Sequence, residues 1–220
     1  MKPSNSLIAA LVLCIVSAAA PAAVITVAGP GGSYLVSDNT LVPPAITAVT
    51  TGAPAADASY SEPGVFGGQD AGQPDSWNGD RRWGNGGAAT AATWNFIGLS
   101  NGVYDVYASW RNATQNNVSS ANYTGTDGFA TTILDQRVGA AALPGVVLND
   151  GTNDVNFAFL AQVTVADGNF ALSVDDSVTG SADGTTFIFA DAIAIQGIPE
   201  PAVLTLLGLC GFGFLRRRRG

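Results

Sequence analysis

Short apolar runs with a period of two constrain this chain more than any other feature of its sequence. Between residues 24 and 197 they alternate with clusters of Gly, Asn and Asp, and helical periodicity is absent. Asn or Asp before Gly supplies the positive φ that tight turns need. The runs predict strands at residues 33–37, 45–51, 90–96, 102–111, 129–135, 155–160, 162–165, 169–174 and 186–195. Many short strands without helices predict an all-β fold, a two-sheet antiparallel β-sandwich of jelly-roll type.

Two of these runs also indicate where side chains lie. The run at residues 186–195 is apolar on both faces apart from Asp191, which indicates a central strand with one buried or capping carboxylate. In the run at residues 102–111, Tyr104 and Trp110 share the more apolar face, whereas Asp105 and Tyr107 share the wetter one.

Charge limits the partners of the central segment. The chain has 9 basic and 17 acidic residues and a formal net charge of −8, and five of the basic residues, Lys2 and the arginines 216–219, lie at the two ends. The middle of the chain therefore has four arginines and sixteen acidic residues, because Glu200 also lies in a terminal segment. Such a surface repels phosphate backbones, so we expect no nucleic-acid binding.

Residue types exclude several kinds of catalysis. The chain has no His, and its two cysteines, Cys14 and Cys210, lie inside apolar terminal segments. Ser-His-Asp and Cys-His nucleophile pairs and His/Cys metal sites are therefore excluded from the middle of the chain.

Both ends of the chain have the layout of targeting segments. Residues 1–23 combine Lys2, an apolar run at 7–16 and a small-residue stretch ending at Ala23, which predicts a secretory signal peptide and leaves residues 24–197 as one domain. Residues 202–215 form a second apolar segment, which as a helix would span about 21 Å, short of a ~30 Å hydrocarbon core. We expect a short transmembrane helix whose arginine cluster stays in the cytoplasm.

The last 23 residues, 198–220, resemble a PEP-CTERM sorting signal. Pro199, Glu200 and Pro201 precede the apolar segment, and Arg216, Arg217, Arg218 and Arg219 follow it. The resemblance implies recognition by an exosortase, a membrane-embedded transpeptidase-like enzyme, and cleavage near the Pro-Glu-Pro motif. It also implies a Gram-negative bacterium, transient anchoring in the inner membrane, and a final place at the cell surface or in the extracellular matrix, with Glu200 as a recognition residue.

Residues 57–195 resemble a golvesin/Xly carbohydrate-binding-like domain. The resemblance rests on the order of six pieces: Gly-Asp-Arg-Arg-Trp at 79–83, Ala-Ala-Thr-Trp at 91–94, Leu-Ser-Asn-Gly-Val-Tyr-Asp-Val-Tyr at 99–107, Asn-Tyr-Thr at 122–124, Leu-Asp-Gln at 134–136 and Phe-Ala-Asp-Ala-Ile at 189–193. It implies a carbohydrate-binding β-sandwich of the kind found beside polysaccharide lyases. The chain departs from the pattern through a longer stretch at residues 137–154.

The four tryptophans mark a candidate binding site, because sugar rings stack on aromatic faces while neighbouring polar groups bind the hydroxyls. Trp94 and Trp110 lie on apolar strand faces and are interpreted as core. Trp77 lies in a Gly- and Pro-rich loop and is expected to be exposed. The candidate ligand-binding residues are Trp77, Trp83, Tyr107, Tyr123, Asp75 and Arg81.

Acidic residues leave a metal site and an enzyme as alternatives. Calcium could be held at residues 149–154 or by Asp175 and Asp176 with Asp183, although neither matches a known calcium loop and solvated turn carboxylates are favoured. Glycoside hydrolysis needs two carboxylates, and Glu62 with Asp57 or Asp191 qualifies by residue type alone. Because no spacing in the sequence selects either the calcium set or the carboxylate pair, we expect no cofactor and no catalytic residue.

Together these features predict an exported, exosortase-processed surface or matrix protein whose single domain binds extracellular polysaccharide without catalysis. One alternative is a purely structural matrix protein without a specific ligand, and exposed aromatic side chains in the loop at residues 77–83 would argue against it. A carboxylate-based polysaccharide-degrading enzyme is the second alternative.

Overall fold

The computed structural model describes residues 24–39, 57–61, 68–85, 92–110, 116–176 and 186–199 of the chain. Three predicted elements, the signal peptide at 1–23, the strand at 45–51 and the apolar segment at 202–215 with its arginine cluster, lie outside these residues. No helix within the described ranges is long and apolar enough to cross a membrane.

The described residues are all-β, as the alternating pattern predicts. They form the strands β1 (Val24–Gly29), β2 (Gly32–Ser37), β3 (Asp57–Ser61), β4 (Gly68–Ala71), β5 (Asp80–Asn85), β6 (Ala92–Ile97), β7 (Gly102–Ala108), β8 (Ala121–Gly125), β9 (Thr132–Leu134), β10 (Gly145–Asn149), β11 (Asp154–Val165), β12 (Asn169–Asp175), β13 (Phe187–Ala190) and β14 (Ile193–Ile198). Two single turns of 3₁₀ helix, Trp77–Gly79 and Ala140–Ala142, interrupt them.

These strands pair antiparallel in three sheets. One sheet has the order β1-β2-β14-β7-β11-β10, a second has the order β3-β6-β12-β8-β9, and a small third sheet has the order β13-β5-β4. The two larger sheets pack face to face and share one core, to which the five-stranded sheet contributes Trp94, Phe96 and Leu172 and the six-stranded sheet contributes Val106 and Ile195. Trp94 and Trp110 are buried in this core, which confirms their interpretation as packing residues.

The six-stranded sheet curls until its edge strands β1 and β10 touch. Gly29 permits this approach, because a Cβ at that position would lie 2.6 Å from Cδ2 of Leu148. The face turned away from the shared core therefore holds a second apolar cluster, which includes Tyr34, Tyr107 and Phe157. We call this side of the six-stranded sheet the concave face.

The sequence-based strand assignments were wrong in two runs. The predicted run 186–195 is split into β13 and β14, which belong to different sheets, and Asp191 lies at the break. The two strands predicted at 155–160 and 162–165 are one strand, β11, with a β-bulge between Phe159 and Ala161. The small third sheet extends the predicted two-sheet arrangement, and the pattern did not predict β1, β3, β4, β5, β8 or β10.

Candidate functional site

A cleft of about 580 Å³ lies between the loop at residues 72–79 and the turn at residues 150–153, within the ~300–1,000 Å³ of small-molecule sites. The loop connects β4 to β5, and the turn connects β10 to β11. The cleft walls are small and polar, and they consist of Gly72, Gln73, Pro74, Asn78, Gly79, Asp150, Gly151, Thr152 and Asn153.

Asp150 holds the two walls of this cleft together. Its Oδ1 accepts hydrogen bonds from the backbone N–H groups of Thr152 and Asn153, each at 2.7 Å, which closes the turn. Its Oδ2 accepts the backbone N–H of Asn78 from the opposite loop at 2.9 Å. One buried carboxylate therefore fixes both the shape of the turn and the width of the cleft.

The loop at residues 72–79 is held by its own backbone. The N–H of Gln73 donates to the carbonyl of Gly79 at 2.8 Å, and the N–H of Gly79 donates to the carbonyl of Ser76 at 3.0 Å. Asn78 has a φ of 53°, in the left-handed region that Asn tolerates better than most residues. The amide of Asn78 donates through Nδ2 to Oδ2 of Asp38 at 2.6 Å, so its side chain is anchored in spite of the unusual backbone.

Trp77 lies beneath the cleft and not in it. Its side chain is fully buried, and its ring meets the ring of Phe157 edge-on at 5.5 Å on the concave face. Its backbone N–H donates to both carboxylate oxygens of Asp191 at 3.2 Å. The expectation that Trp77 is exposed was wrong, because the loop folds over the end of the concave face and the indole fills that end.

A buried polar cluster supports Trp77 from below. Asp191 is fully buried, as its place in an apolar run predicts, and it also accepts the hydroxyl of Ser109 at 2.7 Å. Burial raises the pKa of Asp191 well above its usual range, and the charge of Asp38 raises this pKa further. Arg81 is buried as well, 3.7 Å from Asp75 and 5.5 Å from the ring centre of Phe189.

The other predicted ligand-binding residues lie in different parts of the fold. Tyr123 is buried in the shared core, where its hydroxyl accepts Nε2 of Gln136 at 3.2 Å and burial raises its pKa. Trp83 is partly buried and meets the ring of Phe187 edge-on at 4.9 Å. The structure therefore gathers Trp77, Asp75 and Arg81 in or under one loop, whereas Tyr123 lies in the shared core and Trp83 lies two residues beyond Arg81 on β5.

Tyr107 occupies the concave face. It is 7% exposed, and its ring lies 5.6 Å from the ring of Phe159 and 5.8 Å from that of Tyr34. Burial and the nearby charge of Asp105 raise the pKa of Tyr107 to about 12. The prediction placed Tyr107 on the wetter strand face, and in the structure its neighbour Asp105 is indeed only partly buried on that side.

The carboxylates of the predicted calcium sets that lie in the described ranges accept hydrogen bonds from the protein itself. The oxygens of Asp150 accept backbone N–H groups, and those of Asp175 and Asp176 accept Nδ2 of Asn122 and the hydroxyl of Ser120. Within the described parts of the chain, no three His, Cys, Asp or Glu side chains are grouped so that they could hold a metal ion. Asp183 lies outside the described residues.

Sequence reasoning missed Asn78, Thr152 and Asn153, which line the cleft. The sequence marks residues 149–154 as a tight turn, since Asp150 precedes Gly151, and as a candidate calcium loop, but not as one wall of a cleft. The hydrogen bond between Asp150 and Asn78 connects this turn to the loop at residues 72–79, more than seventy positions away in the sequence. A local sequence pattern does not predict a contact over that separation.

Comparisons with known proteins bear mainly on the C-terminus. No curated protein sequence matches the chain. The structure of a Paenibacillus xanthan lyase aligns with a TM-score of 0.44 and 16% identity, over 76% of this chain and 13% of the lyase chain. The resemblance of residues 57–195 to golvesin/Xly domains stays a prediction. The family model for the PEP-CTERM protein-sorting motif matches residues 197–219. The chain therefore carries a PEP-CTERM sorting motif, which implies export, transient membrane anchoring and processing by an exosortase.

Proposed function

We propose that this chain is a bacterial surface or extracellular-matrix protein whose β-domain binds extracellular polysaccharide in the cleft between residues 72–79 and 150–153. The observation that carries the proposal is the construction of this cleft. Its two walls are fixed to each other through Asp150, and the residues that line it are small or polar. Binding to a pre-formed site avoids the entropic cost of ordering loops.

The chemistry of the cleft suits sugar hydroxyl groups. Asn78, Thr152 and Asn153 offer amide and hydroxyl groups that can both donate and accept hydrogen bonds. Gly72, Gly79 and Gly151 leave the backbone accessible at the cleft wall. Because acidic residues greatly outnumber arginines in the domain, an uncharged polymer suits this surface better than a polyanion.

We propose a binding role and not a catalytic one. Among the described residues that line the cleft, Asp150 is the one carboxylate, and its two oxygens already accept hydrogen bonds from three backbone N–H groups. Hydrolysis of a glycosidic bond needs a second carboxyl group that can act as an acid. Asp191 is fully buried behind Trp77, where a polymer has no access to it.

Export fits this role. The sorting motif at residues 197–219 implies that the chain leaves the cytoplasm. Outside the cell, extracellular polymers are its natural surroundings. Release or attachment at the surface after cleavage near Pro199 would leave the β-domain as the functional part of the mature protein.

The experiment measures binding of the full chain, purified in detergent, to a panel of polysaccharides by co-sedimentation. The test variant is the double substitution Thr152→Ala, Asn153→Ala, and the matched control is Asn101→Ala, Thr131→Ala, which changes the same residue types at exposed turns away from the cleft. We expect the test variant to raise the Kd about tenfold or more, as loss of central contacts does, with an unchanged melting temperature. Equal binding by both variants would contradict the proposal.

A structural matrix protein without a specific ligand is the second candidate. One observation favours it. Trp77 is fully buried and Trp83 is partly buried, so the loop at residues 77–83 does not present the exposed aromatic side chains that would argue against a structural role. If the unaltered protein bound no polysaccharide of the panel, this second candidate would replace the first.

A further inference from the structure

A second surface on this domain combines aromatic and polar side chains, and it lies on the part of the concave face that the loop at residues 72–79 does not fill. Strand register brings Gln196 of β14, Asp105 of β7 and Gln162 of β11 into one row across the sheet. The adjacent row holds Tyr107 and Phe159, which are direct partners on β7 and β11. We call these five residues the open patch.

The β-bulge in β11 creates the open patch. In a regular strand, positions 159 and 161 would share one face, and position 162 would point to the other. The bulge between Phe159 and Ala161 shifts this alternation, so Phe159 pairs with Tyr107 while Gln162 pairs with Asp105 on the same side of the sheet. Leu160 consequently stays in the shared core.

Phe159 is unusual among the aromatic side chains of the described residues because 41% of its surface is exposed. Its ring meets that of Tyr107 at an interplanar angle of 71°, so the tyrosine supports the phenylalanine from the side and leaves part of the phenyl ring open. Ala194, the partner of Tyr107 on β14, is fully buried beside this pair. An exposed, laterally supported ring is a suitable stacking surface for a sugar.

The polar row is held in place as well. Nε2 of Gln162 donates to Oδ1 of Asp105 at 3.1 Å. On the other side of Asp105, the amide of Gln196 lies against the turn between β1 and β2, where a Cβ on Gly32 would lie 3.2 Å from its Nε2. The carboxylate of Asp105 thus shares one row of the sheet with two carboxamides, a set that both accepts and donates hydrogen bonds.

We propose that the open patch is a second polysaccharide-binding surface, which takes an uncharged chain by stacking on Phe159 and by hydrogen bonds to Asp105 and Gln162. The carboxylate in the patch and the net charge of −8 disfavour polyanions. This inference rests on the proposed function, since both surfaces would contact the same polymer. Phe159 lies six residues beyond Asn153 along the chain, a distance of about 20 Å at ~3.3 Å per strand residue. At this separation, substitutions at the two surfaces should act independently.

The test uses the full chain in detergent with xylan, dextran and mannan as neutral probes and polygalacturonate as the anionic probe. Phe159→Ala removes the ring, and Phe159→Leu removes it while keeping an apolar side chain, which guards against loss of folding. Ile133→Ala on β9 is the matched control, because Ile133 is similarly exposed, at 51%, on the other large sheet. We expect both Phe159 variants to raise the Kd for a neutral probe about tenfold and the control to leave it unchanged. The Asp105→Asn variant should improve binding of polygalacturonate, because it removes the negative charge of the patch.

The outcomes separate the two proposals. If the Thr152→Ala, Asn153→Ala variant weakens binding while the Phe159 variants behave like Ile133→Ala, the open patch is overturned and the cleft stands. If the Phe159 variants weaken binding and the cleft variant does not, the open patch stands and the cleft is overturned as the site. Tighter binding of polygalacturonate than of every neutral probe by the unaltered protein overturns the open patch as a neutral-glycan surface. Binding of none of the four probes overturns both.

Discussion

Asp191 lets the contribution of one buried carboxylate be calculated and tested. It is fully buried and accepts the backbone N–H of Trp77 at 3.2 Å and the hydroxyl of Ser109 at 2.7 Å. In the Asp191→Ala variant, Ser109 keeps the carbonyl of Ala192 as an acceptor at 3.3 Å, so the N–H of Trp77 is the group left without a partner. A buried donor without an acceptor costs about 1–3 kcal/mol, and the cavity left by the carboxyl group adds about 1 kcal/mol. We therefore expect the free energy of unfolding to fall by about 2–4 kcal/mol.

The Asp191→Asn variant should behave differently because it keeps the shape and one acceptor oxygen. Burial and the charge of Asp38 raise the pKa of Asp191 in the folded protein, whereas the unfolded value is about 3.9. Folding therefore favours the protonated carboxyl group. Its contribution to stability is complete below the unfolded pKa and is lost as the pH rises through the raised folded pKa. A side chain that does not titrate escapes this loss, so the variant should gain stability relative to the unaltered protein as the pH rises.

The measurement is urea denaturation of all three proteins between pH 4 and pH 8, with unfolding monitored by tryptophan fluorescence. The difference between the unaltered protein and Asp191→Asn isolates this position, because the other titrating groups are common to both. If that difference were independent of pH, or if Asp191→Ala were as stable as Asp191→Asn, the reasoning about this carboxylate would be refuted.

Three further predictions concern backbone packing, a core hydrogen-bond network and processing. Gly145→Ala would place a Cβ against the carbonyl oxygen of Phe157, well inside van der Waals contact, so the β10–β11 pair must separate. We expect the free energy of unfolding, measured by thermal denaturation, to fall by about 2–4 kcal/mol. The control is Gly197→Ala, whose Cβ would lie 3.4 Å from Tyr104, and an equal or smaller loss in Gly145→Ala than in this control would contradict the account. The side chain of Gln136 hydrogen-bonds both the N–H and the carbonyl of Phe189 at 2.9 Å, so Gln136→Ala should lower the free energy of unfolding by about 2–4 kcal/mol. Tyr123→Phe removes one weaker acceptor of Gln136 and should lower it by less than about 1 kcal/mol, as measured by urea denaturation. Equal losses in the two variants would refute this assignment. Intact mass of the protein recovered from the cells that produce it should show a species without Arg216 to Arg219, and Glu200→Ala should retain them; an unprocessed natural chain would count against the sorting prediction.

The sequence by itself determined the class of fold and the presence of a sorting motif that implies export. An alternating strand pattern is local, because successive side chains of any strand point to opposite faces, and it predicts an all-β domain without knowledge of strand order. The burial of Asp191 followed from the same logic, since both faces of its run are apolar. The sorting motif was equally readable, because its three parts are contiguous near the end of the chain.

Only the tertiary structure decided which residues form a site. Trp77 lies in a polar loop, and its burial depends on the curl of a sheet to which that loop does not belong. The cleft exists because Asp150 meets Asn78 across 72 positions of sequence. The open patch depends on the bulge after Phe159, where one extra residue reverses the alternation that sequence reading relies on. Local preferences fix which strands form, whereas long-range packing fixes which of their side chains remain available to a ligand.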